Sequence, residues 1–507
     1  MINNNLNKRF LVTLIVNLIK AFLGFFVGMV LAKGLGVVEY GRFSFLLATF
    51  ISVMTLIDMG TSNAFYTFIS KSKQNIRFYC FYFLWISFQF LMTFLILFFI
   101  IPDDLFDLIF VGESRFITIL AFCGTFFQQQ IWNMLSQLAE ASRDTFKIQK
   151  ISFWISIVNF FIIVSLYCFY KLSIEVVFSV LILQYLFVII FCRKLFFNYK
   201  ALVLTESCDF SISSVLVRFK KYCTPLIIYS LISFSYQFLD AWLLQFYSGS
   251  AQQAFYSIAS KIAAVSLIFS SSLVKVLWKE IADAEQNKDF EKIQVLYFQS
   301  TRMLYFVGVF ITAFFVPWSK DVVITLLDDS YKEAALPFAI MLFYPIHQSL
   351  GQISGVMFYA MEKTKIFSKI SVIGMIISGF VSFVLLSDGY HIIPGLGLGA
   401  VGLSLKMVLT QIISVNLAMF FIAKIKSWKF DWCYQVYQVL IMMILSSACY
   451  YLVSLLDIDL YYRFFLSGFL YVIFTLFIVY FFSMRFFNIP SVFLKEKVFF
   501  FLDKKRF

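Results

Sequence analysis

The sequence has few of the residues that bind metals or form disulfide frameworks. It contains two histidines, and its eight cysteines occur singly, without a C-x-x-C pair. Structural metal sites and disulfide-stabilised folds need such residues in close groups, so we predict neither. The P-loop pattern G-x-x-x-x-G-K-[ST] is also absent, which excludes direct use of ATP through a P-loop. We therefore expect no metal and no other cofactor.

Charged residues are scarce as well. Only 14% of the 507 residues are charged, whereas 61% are hydrophobic. The mean hydropathy of +0.88 is too high for a soluble domain of this length. The composition therefore indicates a polytopic membrane protein whose solvent is the bilayer.

Fourteen apolar stretches have the length that a membrane span needs, which is roughly 20 residues for about 30 Å of hydrocarbon. The predicted spans are 10–32, 43–69, 78–101, 116–138, 151–170, 174–192, 223–247, 254–277, 294–318, 335–360, 366–386, 396–421, 433–455 and 463–484. Only helices and closed barrels satisfy their backbone hydrogen bonds in hydrocarbon, and spans of this length favour helices. We predict an all-α polytopic membrane protein with about 14 transmembrane helices.

Lys and Arg fall almost entirely on every second connection, which the positive-inside rule assigns to the cytoplasm. The cationic segments are 8–9, 71–77, 143–150, 193–221, 363–369, 424–429 and 495–506. The short acidic connections near Asp104, Asp329 and Asp457 then face outward, and both termini are predicted to be cytoplasmic. The net charge of +13 reflects this topology and contact with anionic lipid headgroups, and it does not indicate nucleic acid binding.

The spans divide into two sets of six with two left over. The predicted parts are an N-lobe at 1–192, a cytoplasmic linker at 193–222, a C-lobe at 223–421, two extra spans at 433–484 and a basic amphipathic tail at 485–507. A faint repeat places 35–44 over 248–257 and pairs Gly36 with Gly249. Two six-span halves in parallel repeat are a known way to build a transporter with its site between the lobes.

Six ionisable residues lie inside the predicted spans. They are Lys20, Asp58, Asp240, Lys261, His347 and Lys406. A charge near the bilayer centre costs about 2.5 to 3.5 kcal/mol on insertion scales, so each is a candidate site residue. Counted along ideal helices, Lys20 and Asp58 both come near the midplane, and Asp240 and Lys261 both lie about 10 Å below the outer surface.

Two interpretations of these residues stay open. In the first, Lys20 with Asp58 and Asp240 with Lys261 are structural ion pairs that hold neighbouring helices together. In the second, Lys20, Lys261 and Lys406 line a wet cavity and bind an anionic head group, while Asp58, Asp240 and His347 are coupling groups. His347 follows Pro345, so it lies either at a helix break or in the interior as a hydrogen-bonded histidine.

Four segments resemble a known family. Segment 32–43, AKGLGVVEYGRF, resembles the A-R-x-L-G-x-x-x-Y-G signature of bacterial polysaccharide flippases, with Lys33 in place of the commoner Arg. Segment 58–60, DMG, resembles their D-x-G, and segment 255–261, FYSIASK, resembles their Y-S-x-A-x-K. The glycine-rich segment 394–402 is similar to their start of span twelve. By this resemblance the chain is identified as a member of the oligosaccharide flippase branch of the multidrug/oligosaccharidyl-lipid/polysaccharide exporter superfamily.

The resemblance implies two six-helix lobes in a MATE-like arrangement, with spans 1, 2, 7 and 8 at the seam of a central cavity. It implies that the protein moves undecaprenyl-diphosphate-linked oligosaccharides, the precursors of O-antigen or capsule, to the outer leaflet of a bacterial inner membrane. Lys20, Asp58, Asp240 and Lys261 fall one on each seam span, which favours the cavity interpretation. The expected partners are this substrate and membrane lipids, with the polysaccharide polymerase and chain-length regulator as further candidates. A proton or sodium gradient would drive uphill transport.

Three other functions remain as alternatives. The two extra spans resemble the layout of lipid II flippases, which move a peptidoglycan precursor. A cation or drug antiporter on the same fold would need acidic residues to dominate the cavity, whereas lysines dominate here. A membrane glycosyltransferase or polymerase normally needs a large outer loop, which this chain lacks, so we predict a transporter and not an enzyme.

Overall fold

The polypeptide folds entirely into helices wherever its structure is described. A computed structural model describes residues 2–71, 74–142, 144–203, 211–267, 280–281, 284–285, 287–389 and 394–487. Every regular element within these ranges is helical, and no strand occurs in them. A helix pairs its own N–H and C=O groups, which is what hydrocarbon requires of a chain this apolar. The predicted all-α class is confirmed.

Nine helices make up the first half of the chain. They are α1 (Ile2–Asp58), α2 (Thr61–Lys71), α3 (Ile76–Leu95), α4 (Asp103–Phe110), α5 (Arg115–Phe126), α6 (Trp132–Ala141), α7 (Thr145–Cys168), α8 (Ile174–Val203) and α9 (Ile212–Ala264). A π-helical turn at Ile96–Ile100 extends α3, and another at Phe127–Ile131 joins α5 to α6. The chain from α5 to α6 is therefore one continuous span.

Eight further helices follow in the described part of the second half. They are α10 (Phe290–Phe315), α11 (Ser319–Leu326), α12 (Ala335–Met341), α13 (Tyr344–Ala360), α14 (Thr364–Leu386), α15 (Gly399–Lys426), α16 (Cys433–Ser454) and α17 (Leu460–Phe487). A short 3₁₀ helix, Asp329–Ala334, precedes α12.

All fourteen predicted spans fall on helices as far as the structure describes them. Nine helices of the described chain have the length and hydropathy to cross a membrane. Two of these, α1 and α9, each hold one predicted span and the beginning of the next, and the span 43–69 ends in α2. Helix α8 supplies a shorter apolar stretch at Ile174–Ile190. The end of the eighth predicted span, 268–277, lies outside the described residues. The structure thus has the helices of a multi-pass membrane protein.

The helices pack into two units. Unit 1 comprises Met1–Ser257 and Met375–Leu403, and unit 2 comprises Ile258–Gly374 and Ser404–Phe507. The predicted lobe boundaries stay a prediction. Most of the predicted linker is helical, because α8 runs to Val203 and α9 begins at Ile212. Linker residues 204–210 and tail residues 488–507 lie outside the described residues.

Unit 1 is organised around α1, which packs against α5, α7 and α8. The Phe50 side chain is fully buried, and its ring centroid lies 5.8 Å from that of Phe122 on α5. At Gly34, a Cβ atom would overlap the Leu172 side chain. Small residues let membrane helices approach closely, and van der Waals contact then replaces the hydrophobic effect as the stabilising interaction.

Unit 2 is organised around α10, which packs against α13, α16 and α17. Tyr305 on α10 is buried, and its hydroxyl donates a hydrogen bond to the Gln435 carbonyl oxygen at 3.0 Å. Tyr471 on α17 is also buried and donates to the Phe310 carbonyl oxygen at 3.1 Å. Both tyrosines thus pair a polar hydroxyl with backbone at a helix contact, as buried polar groups in hydrocarbon must.

The predicted repeat has a matching backbone in its two copies. Helix α1 breaks at Gly36, with φ 76° and ψ 172°, and helix α9 breaks at Gly249, with φ 79° and ψ 178°. Residues other than glycine rarely adopt a positive φ angle, so glycine is needed at both positions. The alignment of Gly36 with Gly249 is therefore supported by their shared conformation.

The two repeat segments also touch each other within unit 1. A Cβ atom on Gly41 would overlap the backbone carbonyl oxygen of Ser250, which follows the break in α9 by one residue. Backbone atoms cannot rotate away as a side chain can, so only glycine fits at position 41. This contact explains the last glycine of the signature segment 32–43.

The glycine-rich segment 394–402 closes the end of α14. The backbone N–H groups of Leu396, Gly397 and Leu398 donate to the carbonyl oxygens of Val384, Ser387 and Leu385 at 2.9 to 3.0 Å. The side chain of Gln252 then accepts from the Ala400 N–H at 2.9 Å, in the first turn of α15. The segment therefore satisfies backbone groups at the end of α14 and leads into the first turn of α15, which agrees with the expectation that it opens a membrane span.

Replacing Gly41 by Ala should destabilise the protein, because the new methyl group would force the Ser250 backbone to move. Overpacking of this kind costs about 1 to 3 kcal/mol. We expect a lower thermal midpoint and a smaller monodisperse fraction in detergent. Gly24→Ala is the matched control, since no atom lies within 4 Å of its Cβ position on the same helix. Equal midpoints for the two variants would contradict the contact.

Candidate functional site

The six candidate residues divide evenly between the two units. Lys20 and Asp58 lie on α1 and Asp240 lies on α9, all three in unit 1. Lys261 at the end of α9, His347 on α13 and Lys406 on α15 belong to unit 2.

Asp58 ends α1 and holds the turn into α2. Its carboxylate accepts hydrogen bonds from the Gly60 N–H at 3.1 Å and the Ser62 N–H at 2.9 Å. The hydroxyl groups of Thr61 and Ser62 donate to the same carboxylate at 3.2 and 3.0 Å. Met59 and Gly60 have φ values of 45° and 83°, which make the turn tight. The Asp58 carboxylate therefore caps N–H groups at the start of α2 from two residues before Gly60, whose carbonyl oxygen accepts the first helical hydrogen bond from Ala64.

The predicted ion pair between Lys20 and Asp58 does not form in the described structure. The four donors that Asp58 accepts from all lie within four residues of it. Lys20 lies half-buried on the same helix, before the break at Gly36. The equal depth of Lys20 and Asp58 in the membrane did not predict their contact correctly, because donors close in sequence already satisfy the Asp58 carboxylate. A role for Lys20 in substrate binding stays a prediction.

Asp240 joins α9 to α14 inside unit 1. The hydroxyl oxygen of Ser382 on α14 lies 2.6 Å from Asp240 Oδ1 and 3.0 Å from the Ser378 carbonyl oxygen. Ser378 and Ser382 are both buried, one turn apart on the same face of α14. Neither serine belongs to a motif of the sequence, but two serines four residues apart in an apolar span are a pattern that indicates a polar contact between helices.

A network of side-chain amides joins α13, α15 and α16 inside unit 2. The Gln435 side chain donates to Asn416 Oδ1 at 2.9 Å, and Asn416 Nδ2 donates in return to Gln435 Oε1 at 3.2 Å. His347 Nε2 lies 3.2 Å from the same Gln435 oxygen. On the neighbouring turns, Gln411 Nε2 donates to Gln348 Oε1 at 2.6 Å. His347 is therefore a hydrogen-bonded interior histidine, and it also lies in the first turn after the interruption between α12 and α13, so both features predicted for it are present.

Lys406 lies on α15 and has 0% of its surface exposed. Its Nζ lies 3.9 Å from the Met407 sulfur, and the Thr410 hydroxyl donates to its carbonyl oxygen at 2.7 Å. An ammonium group buried this deeply in a membrane protein must keep polar contacts or a wet path to offset its loss of hydration. In the described structure the Lys406 side chain is therefore closed to solvent, and a role in substrate binding stays a prediction.

Lys261 and Asp240 fall in different units, and their pairing stays a prediction. Lys261 is partly exposed at the end of α9. It belongs to the segment 255–261 that resembles the family motif. The alternatives of an ion pair and a substrate contact therefore both remain for this lysine.

An ion cluster that the sequence analysis missed ties the signature segment to the turn between α4 and α5. Arg42 donates to both carboxylate oxygens of Glu113, at 2.9 and 2.7 Å, and to Glu39 at 2.8 Å. Glu113 is 4% exposed, and its hydrogen bond raises the pKa of the Arg42 guanidinium above its usual value. A bidentate pair of this geometry fixes orientation as well as charge.

Within the described ranges, no group of three or more His, Cys, Asp or Glu side chains could hold a metal ion. The cysteines at 80, 123, 168, 223, 433 and 449 are free thiols. The expectation that the protein uses an ion gradient and no cofactor stays a prediction.

The helix arrangement is that of transporters in the multidrug/oligosaccharidyl-lipid/polysaccharide exporter (MOP) superfamily. Lipid II flippase MurJ in an inward closed conformation superposes with a TM-score of 0.66 at 16% identity, over 92% of this chain and 99% of that one. An inward-facing multidrug resistance MATE family transporter gives 0.58 at 13% identity, over 80% and 96%. These likenesses confirm the predicted MATE-like fold with two additional C-terminal helices.

A third similar structure is a MOP superfamily transporter from Pyrococcus furiosus, described by the reverse polarity of its binding pocket. It gives a TM-score of 0.55 at 11% identity, over 83% of this chain and 96% of that one.

Comparison with curated protein sequences gives no significant match. The polysaccharide biosynthesis protein family matches residues 6–278, more than half of the chain, and the chain belongs to that family. The predicted superfamily resemblance is confirmed.

Replacing Asp58 by Ala should destabilise the turn between α1 and α2 more than Asp58→Asn, because Asn keeps one of the two oxygens that accept from backbone N–H groups. Loss of a helix cap costs about 0.5 to 2 kcal/mol. Chemical unfolding in detergent measures the difference. Asp107→Ala removes an exposed carboxylate and serves as the control. If Asn and Ala destabilise equally, the negative charge matters more than the cap.

Proposed function

We propose that the protein is a flippase for undecaprenyl-diphosphate-linked oligosaccharide repeat units, the precursors of O-antigen or capsule. It would carry them from the cytoplasmic to the outer leaflet of the bacterial inner membrane, with both of its termini in the cytoplasm. The observation that carries this proposal is membership of the polysaccharide biosynthesis protein family over 6–278, a range that includes both glycine breaks. The polysaccharide polymerase and chain-length regulator are the partners this role would require.

The chemistry of the substrate explains why such a protein needs polar groups within the membrane. A diphosphate and its sugars cannot cross hydrocarbon unaided, so the protein must offer a wet path lined with cations and hydrogen-bonding groups. Lys20, Lys261 and Lys406 are proposed to meet the diphosphate, and the Gln435 amide network is of a kind that binds sugar hydroxyls. The polyprenyl tail would remain in lipid while the two lobes alternate in access.

Coupling to a proton or sodium gradient is proposed for Asp240 or His347. Asp58 is the weaker of the three predicted coupling groups, because four local donors already engage its carboxylate. Asp240 contacts a serine hydroxyl on a different helix. A change in the protonation of Asp240 would therefore alter the hydrogen bond between α9 and α14. This arrangement is suited to linking an ion to helix movement.

A lipid II flippase is the second candidate, and one observation favours it. The two C-terminal helices α16 and α17 are present, and the fold covers 99% of lipid II flippase MurJ. Both candidates move a polyprenyl-linked sugar, so they differ only in the head group. The cation or drug antiporter has less support, because the multidrug transporter superposes with the lower TM-score of 0.58 and three of the six candidate residues are lysines.

Deletion of the gene separates the two candidates. We expect undecaprenyl-linked repeat units to accumulate on the cytoplasmic side while surface polysaccharide is lost, because the carrier lipid cannot reach the polymerase. Sugar analysis of extracted lipid-linked intermediates measures this. Accumulation of lipid II in place of the repeat unit would support the second candidate. Normal levels of both would contradict any flippase role.

Replacing Lys20 or Lys261 by Ala should abolish transport, and replacement by Arg should retain part of it. Each lysine would form charge-assisted hydrogen bonds to the diphosphate, worth about 1.5 to 3 kcal/mol. Complementation of the deletion strain at matched expression measures the effect, and the exposed Lys171→Ala is the control. If transport returns when Asp240→Ala is added to Lys261→Ala, that lysine is a structural partner and not a binding group.

A further inference from the structure

Unit 1 carries a long apolar groove between α7 and α8. Its volume is about 810 Å³. Lys150, Trp154, Val158 and Ile162 line it on α7. On α8 the lining includes Gln184 and Phe187. Binding sites for small molecules have volumes of this order and are mostly apolar, with a few polar groups.

The groove has the length of one bilayer leaflet. Its four α7 residues recur at every fourth position, so they form one stripe along the helix. From position 150 to position 162 the helix rises about 18 Å, and one leaflet of hydrocarbon is about 15 Å thick. An extended lipid chain that enters at the Lys150 end therefore reaches the midplane at the Ile162 end.

The walls of the groove are open to lipid. Trp154 is 54% exposed, Val158 is 47% exposed and Phe187 is 62% exposed. Gln184 is the one amide named among these groove residues, and its Oε1 is buried without a hydrogen-bond partner in the described structure. The groove thus offers apolar contact along most of its length and a polar group within it.

The charge at the mouth of the groove selects the head group. Lys150 is exposed and makes no ion pair with the residues that the structure describes. Lys147, one turn earlier on α7, is already paired with Asp144 at 3.1 Å. The cation alternation predicts that this end of α7 is cytoplasmic. One lysine there matches the single negative charge of a phospholipid phosphate.

We propose that this groove binds one anionic phospholipid of the cytoplasmic leaflet, with its phosphate on Lys150 and an acyl chain along Trp154, Val158 and Ile162. The lipid is a structural ligand of unit 1 and is distinct from the transported substrate. A polyprenyl diphosphate fits less well, because its tail is much longer than the groove and its diphosphate carries more charge than one lysine offsets.

Trp154 reports occupancy of the groove. The full-length protein is reconstituted in vesicles of phosphatidylcholine that contain increasing fractions of brominated phosphatidylglycerol, or of brominated phosphatidylcholine. The fluorescence of Trp154 is taken as the difference between wild type and Trp154→Phe. Brominated phosphatidylglycerol should quench it at an about fivefold lower mole fraction, the preference expected from one lysine near a membrane surface. Equal quenching by the two lipids would overturn the proposal.

Two pairs of variants locate the effect. Lys150→Gln should remove the preference for phosphatidylglycerol, whereas Lys147→Gln should keep it. Val158→Phe, which fills the groove, should reduce quenching by both lipids, whereas Ile190→Phe on the exposed face of α8 should not. Gel filtration of each variant confirms that it is folded. If Lys147→Gln and Lys150→Gln behave alike, the preference belongs to the general surface charge and the proposed site is wrong.

Competition identifies the lipid class. Unbrominated phosphatidylglycerol should restore Trp154 fluorescence, and undecaprenyl diphosphate at the same mole fraction should restore less. Stronger competition by the polyprenyl lipid would assign the groove to the substrate and overturn the proposal. None of these measurements depends on transport, so they test the lipid site independently of the proposed flippase function.

Discussion

Each interruption of a helix within hydrocarbon leaves backbone N–H and C=O groups that water cannot reach, and the rest of this structure depends on how they are satisfied. Asp58 accepts from the backbone N–H groups of Gly60 and Ser62 at the start of α2. Segment 394–402 supplies donors to the last carbonyl groups of α14, and Gln252 accepts from the first turn of α15. Three of the four motifs that carry the family resemblance lie at or beside interruptions of helices, at Gly36, at the turn after Asp58 and at segment 394–402.

The fold was predictable because it follows from local quantities. Span length and the alternation of cations depend only on neighbouring residues, and the bilayer fixes what they mean. The repeat was faint in sequence, yet Gly36 and Gly249 share a conformation that glycine alone adopts readily. The side-chain network of unit 2 was less accessible, since glutamine and asparagine in a span carry no periodic signal and their partners lie on different helices.

The sequence could not predict which side chains contact each other. The estimate that matched Lys20 with Asp58 used depth alone, and it ignored donors that lie two to four residues from the carboxylate. Asp58 followed by Gly60, Thr61 and Ser62 was in fact a capping signal. The contact of Arg42 with Glu113 spans 71 residues and depends on how α4 and α5 turn, which no spacing rule predicts.

The hydrogen bonds described above for the two membrane aspartates join segments that are synthesised at very different times. The donors to Asp58 follow within four residues, so its turn can close while α1 and α2 are still entering the bilayer. Asp240 precedes Ser382 by 142 residues, and that hydrogen bond must wait until α14 has been made. Because chains are made from the N-terminus, α9 is inserted before this contact exists. The contact between α9 and α14 therefore forms later in synthesis than the turn at Asp58.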